Sequence, residues 1–320
     1  MNEFNGTPPL LWLFGTYEQR RLSYQYWIRD TALGVLDLVI HFGLRPLPID
    51  WCSKLGSYLG LFGRLRYPAS HRRILKAWAT LRPDEADPAA ARDAAYRLWR
   101  CVGRTMGEYS VLDRLWQAGR IEVEGVEHLD AARDAGRPRL VMGLHLGNWE
   151  AIPPTLIAVG HPGCGIYLPP VNRFDHWIAV TARERYGARL IAPGQTATRE
   201  ALKALKENSG IFIIYVDEFI RGKVQAPAFG RRLRPNGNNI AYVARLAAMT
   251  GADIIPAYCV RQGETAYFKV QFLAPVALEN SGTPKESAAA NVARLDAAIS
   301  PIIRNHLDQW FYGLDLDLES

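Results

Sequence analysis

The segment Leu144-His145-Leu146-Gly147-Asn148-Trp149-Glu150 carries the residues best suited to chemistry. Imidazole changes its charge near neutral pH, so His145 is a natural general base. A carboxylate holding one ring nitrogen stabilises the imidazolium and leaves the other nitrogen to take a proton. Glu150 stands five residues on. On a regular helix that spacing is about 140° around the axis, so the pair meets only if the chain bends between them. Gly147 permits a tight turn, and Asn148 can cap a helix that follows. Arg139 to Leu144, RLVMGL, reads as a strand. His145 would then sit at its C-terminal end, where α/β sheets place ligands. The expected chemistry is general-base removal of a proton from a hydroxyl as it attacks an acyl carbon, with Glu150 orienting His145. Backbone amides near Gly147 are the expected oxyanion donors.

A second constellation is basic. Arg221, Lys223, Arg231, Arg232 and Arg234 surround the loop Pro227 to Gly230 without an acid among them. Guanidinium groups there can hold a phosphate or an acidic carrier, or form a solvated face. Asp217 closes the run GIFIIYV. It can orient an Arg or the acceptor, or cap a turn. Asn236-Gly237-Asn238-Asn239 signals a turn and a helix N-cap. There is no GxxxxGK[ST], no GxGxxG after a strand and no GxSxG elbow, and His and Asp do not cluster, so no metal is expected. Cys52, Cys101, Cys164 and Cys259 lie far apart and read as buried thiols in a reducing compartment.

The elements that must position these groups fall into two parts. The chain has 320 residues, 48% of them hydrophobic and 22% charged, enough for an enzyme core. Residues 1–118 read as a helical, membrane-leaning segment. Tyr24 to Phe42 and Ile49 to Phe62 are apolar helical stretches. Thr31 to Leu44 is too short to span comfortably and carries Asp37 and His41, so it is expected to lie on a bilayer or dip into it. The basic run from Arg64 to Lys76 suits anionic head groups. Glu3, Pro8 and Pro9 argue against a secretory signal. Asp87 to Leu115 is a capped helix whose Glu108 reads as a partly exposed structural carboxylate.

Residues 119–320 read as an α/β domain. Strands are predicted at Arg139 to Leu144, Gly165 to Leu168, Arg189 to Ala192, Gly210 to Val216, Ala252 to Val260 and Tyr267 to Phe272. Helices are predicted at Asp175 to Tyr186, Thr198 to Asn208 and Asn238 to Thr250, and a last one ends near Trp310. This alternation predicts an αβα sandwich with a mostly parallel central sheet behind N-terminal membrane-associating helices. Lys and Arg number 38 against 32 Asp and Glu, a formal charge of +6. An acidic partner fits this charge, and nucleic acid has nothing but the charge to recommend it.

His145 to Glu150, HLGNWE, resembles the HxxxxD/E motif of the lysophospholipid acyltransferase superfamily. More narrowly it resembles the bacterial lipid A biosynthesis lauroyl/myristoyl acyltransferases. Further segments agree in order: Tyr167 to Asn172, the strand ending at Asp217, Pro227 to Gly230, Ala241 to Pro256 and Gln309 to Tyr312. The resemblance covers about residues 20 to 313. It implies an enzyme at the cytoplasmic face of a bacterial inner membrane. That enzyme would move an acyl chain from acyl carrier protein or coenzyme A to a hydroxyl or amine of a membrane lipid, with no cofactor beyond that co-substrate. His145 and Glu150 would be catalytic, and Asn148, Asn172, Arg173, Asp217, Arg221, Arg231, Arg232 and Arg234 would bind substrate. Leu168 stands where the family has Arg, with Arg173 its nearest replacement, and Glu218 stands where Gln is common. The acceptor implied is lipid A precursor-like, and both departures bear on its head group. Phospholipid, glycolipid and aminolipid acceptors, and a non-catalytic lipid- or carrier-binding role, are the alternatives.

Overall fold

The computed structural model describes residues 6–318 apart from 86, 207–209, 221, 232, 234–235 and 280–283. Helices α1 (Tyr17–Tyr24), α2 (Asp30–Leu44), α3 (Ile49–Arg66), α4 (Pro68–Leu81) and α5 (Pro88–Glu108) precede the first strand. One π-helical turn, Gln25–Arg29, joins α1 to α2. Thr16 caps α1 in a capping box with Gln19, and Asp87 caps α5 with Pro88 behind it.

The seam between α3 and α5 is made of glycine. A Cβ on Gly103 would lie 2.2 Å from the Gly56 carbonyl oxygen and 2.6 Å from the Gly60 Cα. The two backbones therefore touch, and α3 turns its large residues outward. Trp51, Leu55, Tyr58, Leu59, Phe62 and Leu65 are all exposed, as are Leu33, Leu36, Val39 and Phe42 on α2. Among the described residues no helix is long and apolar enough to cross a membrane.

The rest of the chain alternates strands and helices. In order these are β1 (Ile121–Glu124), α6 (Val126–Asp134), β2 (Arg139–Gly143), α7 (Ile152–Ala158), β3 (Gly163–Ile166), α8 (Arg173–Glu184), β4 (Arg189–Ile191), α9 (Ala197–Lys206) and β5 (Ile211–Tyr215). A small hairpin, β6 (Phe219–Ile220) and β7 (Lys223–Val224), follows. Then come α10 (Asn239–Thr250), β8 (Asp253–Arg261), β9 (Phe268–Phe272) and α11 (Pro284–Asn305).

Seven strands form one sheet in the order β1-β9-β8-β2-β5-β3-β4. Every neighbouring pair is parallel except β8 and β9. β2 and β5 lie in its middle, and their apolar runs are buried on both faces. Leu140, Met142, Phe212 and Ile214 join one hydrophobic cluster, while Val141, Ile211, Ile213 and Ile255 join the other. Helices cover each face, which makes the predicted mixed α/β sandwich with a mostly parallel sheet. The predicted strand positions hold to within two or three residues. The four cysteines are free and buried, in keeping with their spacing.

Candidate active site

β2 is flanked by β5 and β8, both parallel to it. The chain leaves this trio at its C-terminal edge and goes next to β3, past β5, a crossover of the kind that opens a crevice. The loop 144–148 follows. Gly147 has φ of +56°, and a Cβ there would lie 2.6 Å from the Cys259 carbonyl oxygen, so only glycine fits. Its carbonyl accepts a hydrogen bond from Thr105 Oγ1 at 2.8 Å, and its N–H donates to the Gln309 carbonyl at 3.1 Å. Leu146 N–H donates to the Leu144 carbonyl. These amides are occupied within the fold, so they are not the oxyanion donors expected near Gly147. Asn148 does not cap the turn Trp149–Ala151. It is buried, and its Nδ2 donates to Glu108 Oε2 at 2.9 Å. Glu108 itself is fully buried in an ion pair with Arg261 at 2.5 Å, not partly exposed. A charge pair so deep needs every available donor, and Asn148 is one of them.

Asp217 follows the end of β5, and there it meets His145. Its Oδ1 lies 2.9 Å from His145 Nδ1. Its Oδ2 accepts the backbone N–H of His145 at 2.7 Å and Trp310 Nε1–H at 2.8 Å. The carboxylate is wholly buried and fully partnered. In the neutral ring this bond places the proton on Nδ1 and the lone pair on Nε2. The ring packs against Tyr215, Tyr312 and Trp149, with centroids 4.6, 5.1 and 5.3 Å away. His145 remains partly open on the wall of a cavity of about 420 Å³.

Glu150 lines the same cavity, but its hydrogen bonds run to Arg183, at 2.6 and 3.2 Å. Asp217 thus holds the ring nitrogen that the motif spacing would give to Glu150. The reason is the turn Trp149–Ala151 and the placement of α8, which presents Arg183 to Glu150. Burial works against the charge of Arg183, yet Glu150 and then Tyr109 outweigh it and hold its pKa above the ordinary value. Burial, then Glu150, pushes the phenols of Tyr186 and Tyr215 well up, so both stay neutral. Burial, helped by Asp217 and resisted by the Asn239 N–H, raises Glu218 to about 7. Glu218 also lines the cavity and accepts from Asn239 N at 2.6 Å.

From His145 the cavity passes Tyr215 and Ile213 and reaches Gly165 and Gly163 of β3, with Pro153 and Ile157 of α7 also on its wall. Gly163 pairs with Ile211 and Gly165 with Ile213, so the wall includes two β3 residues without side chains. A cavity lined largely by apolar residues, with His145, Glu150, Arg183 and Glu218 also on its wall, suits a chain-like ligand with a polar head.

The remaining expected binding residues lie elsewhere. Asn172 caps α8 through Phe174 N at 3.0 Å and donates to the Asp30 carbonyl at 2.9 Å. Arg173 bonds Tyr26 O and Thr31 Oγ1 and stacks over Tyr26. Both tie α8 to the N-terminal helices. Arg231 folds back on the carbonyls of Pro227 and Ala228. Arg221, Arg232 and Arg234 lie outside the described residues. Arg183, Tyr186 and Trp310 carry no local motif that names them. Only their fit around β2 and β5 reveals them, although Gln309 to Tyr312 belongs to the segments that suggest the family.

A family model for the bacterial lipid A biosynthesis acyltransferase matches residues 18–314. The lipid A biosynthesis acyltransferase of Haemophilus influenzae is 23% identical over 290 residues, 88% of this chain and 85% of that protein. The phosphatidylinositol mannoside acyltransferase of Mycolicibacterium smegmatis is 26% identical over 186 residues, 57% of this chain and 58% of that protein. The family match over residues 18–314, laid over a sheet that brings His145 to Asp217 at the wall of a cavity, means that this chain is an acyltransferase belonging to the bacterial lipid A biosynthesis acyltransferase family.

Proposed function

We propose that this chain transfers a fatty acyl group from the thioester of acyl carrier protein or coenzyme A to a hydroxyl, or an amine, of a membrane lipid. His145 is the general base and Asp217 the carboxylate that orients it. His145 Nε2 takes the proton of the acceptor hydroxyl as its oxygen attacks the thioester carbon. The C–O bond forms, the C–S bond breaks, and the proton passes from His145 to the leaving thiolate. The acyl chain lies in the slot beside Gly163 and Gly165. Glu150 acts through Arg183, fixing the polar end of that slot. The observation that carries this reading is the Asp217–His145 bond at the mouth of the cavity.

The exposed apolar residues of α2 and α3 support work at a membrane surface, since so much exposed apolar area is unusual in a soluble monomer. We place the protein peripherally on the cytoplasmic face of a bacterial inner membrane. A lipid A precursor is one acceptor. The Mycolicibacterium relative is named for a mannolipid, which makes a glycolipid acceptor the second reading. Mass spectrometry of membrane lipids from cells making the wild type or His145→Ala tests both. A lipid that gains one acyl chain only with the wild type identifies acceptor and chain length together. Full acylation by His145→Ala refutes the mechanism.

A further inference from the structure

A second cavity, of about 500 Å³, opens between α3, α5 and the turn that joins β8 to β9. Its charged wall is formed by Lys54, Arg100, Arg104, Arg120, Asp50 and Glu264. Arg120 is paired with Asp50 at 2.7 Å, and Arg100 with Glu264 at 2.6 Å. Two cations remain. Lys54 is exposed. Arg104 has a side chain only 9% exposed, and its ion pair with Glu264 is long, at 3.7 Å. Its Nη1 donates to Ser53 at 2.9 Å, while its Nε is buried with no acceptor. Burial, and then the neighbouring Arg261, pull its pKa below the ordinary value against the opposing pull of Glu108 and Glu264.

The same helix carries the exposed apolar stripe. Trp51, Leu55, Tyr58 and Phe62 follow one side of α3, and Tyr58 also lines the cavity beside Lys54. Tyr58 therefore joins the exposed apolar stripe to the cation-lined cavity. Amphipathic elements at a bilayer surface use this pairing. An acidic helix of a carrier protein would meet the cations but leave the apolar stripe uncovered.

We propose that this cavity binds the phosphate of an anionic membrane phospholipid, with Lys54 and Arg104 as its principal contacts and the α3 stripe inserted alongside. The proposal rests on the membrane reading above but not on the catalytic one. Each cation near a charged bilayer contributes about fivefold in affinity.

The test is co-sedimentation of the full chain with phosphatidylcholine vesicles, with and without phosphatidylglycerol. Lys54→Gln/Arg104→Gln is compared with Arg92→Gln/Arg199→Gln, which removes the same charge from exposed positions elsewhere. The cavity variant should lose about twentyfold in affinity for the anionic vesicles, and the control less than about threefold. Lys54→Gln alone, at an exposed position, should lose about fivefold and gives a readout even if Arg104→Gln fails to fold. Equal losses in cavity variant and control overturn the proposal. So does a cavity variant that keeps its vesicle binding but no longer binds inorganic phosphate or acyl carrier protein. A wild type that binds neither kind of vesicle overturns the membrane reading itself.

Discussion

Asp217→Asn separates the two carboxylates of the site. Asp217 accepts three hydrogen bonds, one from His145 Nδ1 and two on Oδ2 from His145 N and Trp310 Nε1. An asparagine keeps one oxygen and replaces the other with an NH₂ donor. If the oxygen turned toward Nδ1, the NH₂ would oppose two buried N–H groups, at about 1–3 kcal/mol each. The oxygen should therefore stay with those two donors and leave the NH₂ facing Nδ1. The ring then carries its proton on Nε2, the atom that must act as the base. In Ser-His-Asp triads this change of tautomer lowers kcat by about 10⁴, equal to about 5.5 kcal/mol of barrier. The expected result is a fall in kcat of about 10³–10⁴ with KM changed less than about threefold. The assay is thiol release from acyl-coenzyme A or acyl carrier protein in the presence of acceptor lipid, with circular dichroism as the check on fold. Glu150→Gln, assayed in parallel, should lose less than about 30-fold, since its carboxylate reaches Arg183 and not the ring. The reasoning is refuted if Asp217→Asn stays within about tenfold of the wild type while Glu150→Gln falls about 10³-fold.

Four further outcomes test the surroundings. Glu150→Gln leaves the Arg183 guanidinium buried without its counter-charge, so urea denaturation should show a loss of about 3 kcal/mol. Glu218 binds its proton more tightly in the folded protein, so the stability linked to it is full below its ordinary value of 4.5, falls as pH rises toward about 7, and is flat above. Allowing for solvent screening, Glu218→Gln should gain about 1–2 kcal/mol over the wild type at pH 8 and nothing near pH 4; an equal gain at both values would show that titration is not the cause. Gly103→Ala drives a Cβ into the backbone of α3 and should cost about 2–3 kcal/mol in thermal unfolding, whereas Gly43→Ala, with no atom within 4 Å of the new carbon, should be neutral or slightly stabilising. In the slot, Gly165→Ala has Ile213 as its nearest neighbour, at 3.0 Å, and should shift donor preference toward shorter acyl chains in a competition among thioesters of graded length.

Much of this fold is legible in the chain because burial writes it there. β5 is a continuous apolar run because both its faces are covered, and a short β-branched run of this kind suits a central parallel strand. α4 is harder to read. Ile74, Ala77, Trp78 and Leu81 recur at helical spacing on its buried face, but interleaved cations make the segment read as a basic run. α7 begins Ile152-Pro153-Pro154, and prolines in a first turn look like a break until the helix is seen. At the site, the turn after β2 and the position of His145 follow from the local sequence. The partner of His145 does not. Asp217 lies 72 residues away, and only the adjacency of β2 and β5 brings them together. Spacing along the chain favours Glu150, while pairing across the sheet selects Asp217.

The residues that hold the loop of His145 come from far along the chain. Phe311 N–H donates to the His145 carbonyl, Gln309 receives the Gly147 N–H, and Trp310 completes the shell of Asp217. All three are translated after every strand of the sheet. A nascent chain can therefore hold its sheet, and even rest against the bilayer, before the base has its final orientation. The base is therefore oriented last, when residues 309–311 dock on the finished sheet.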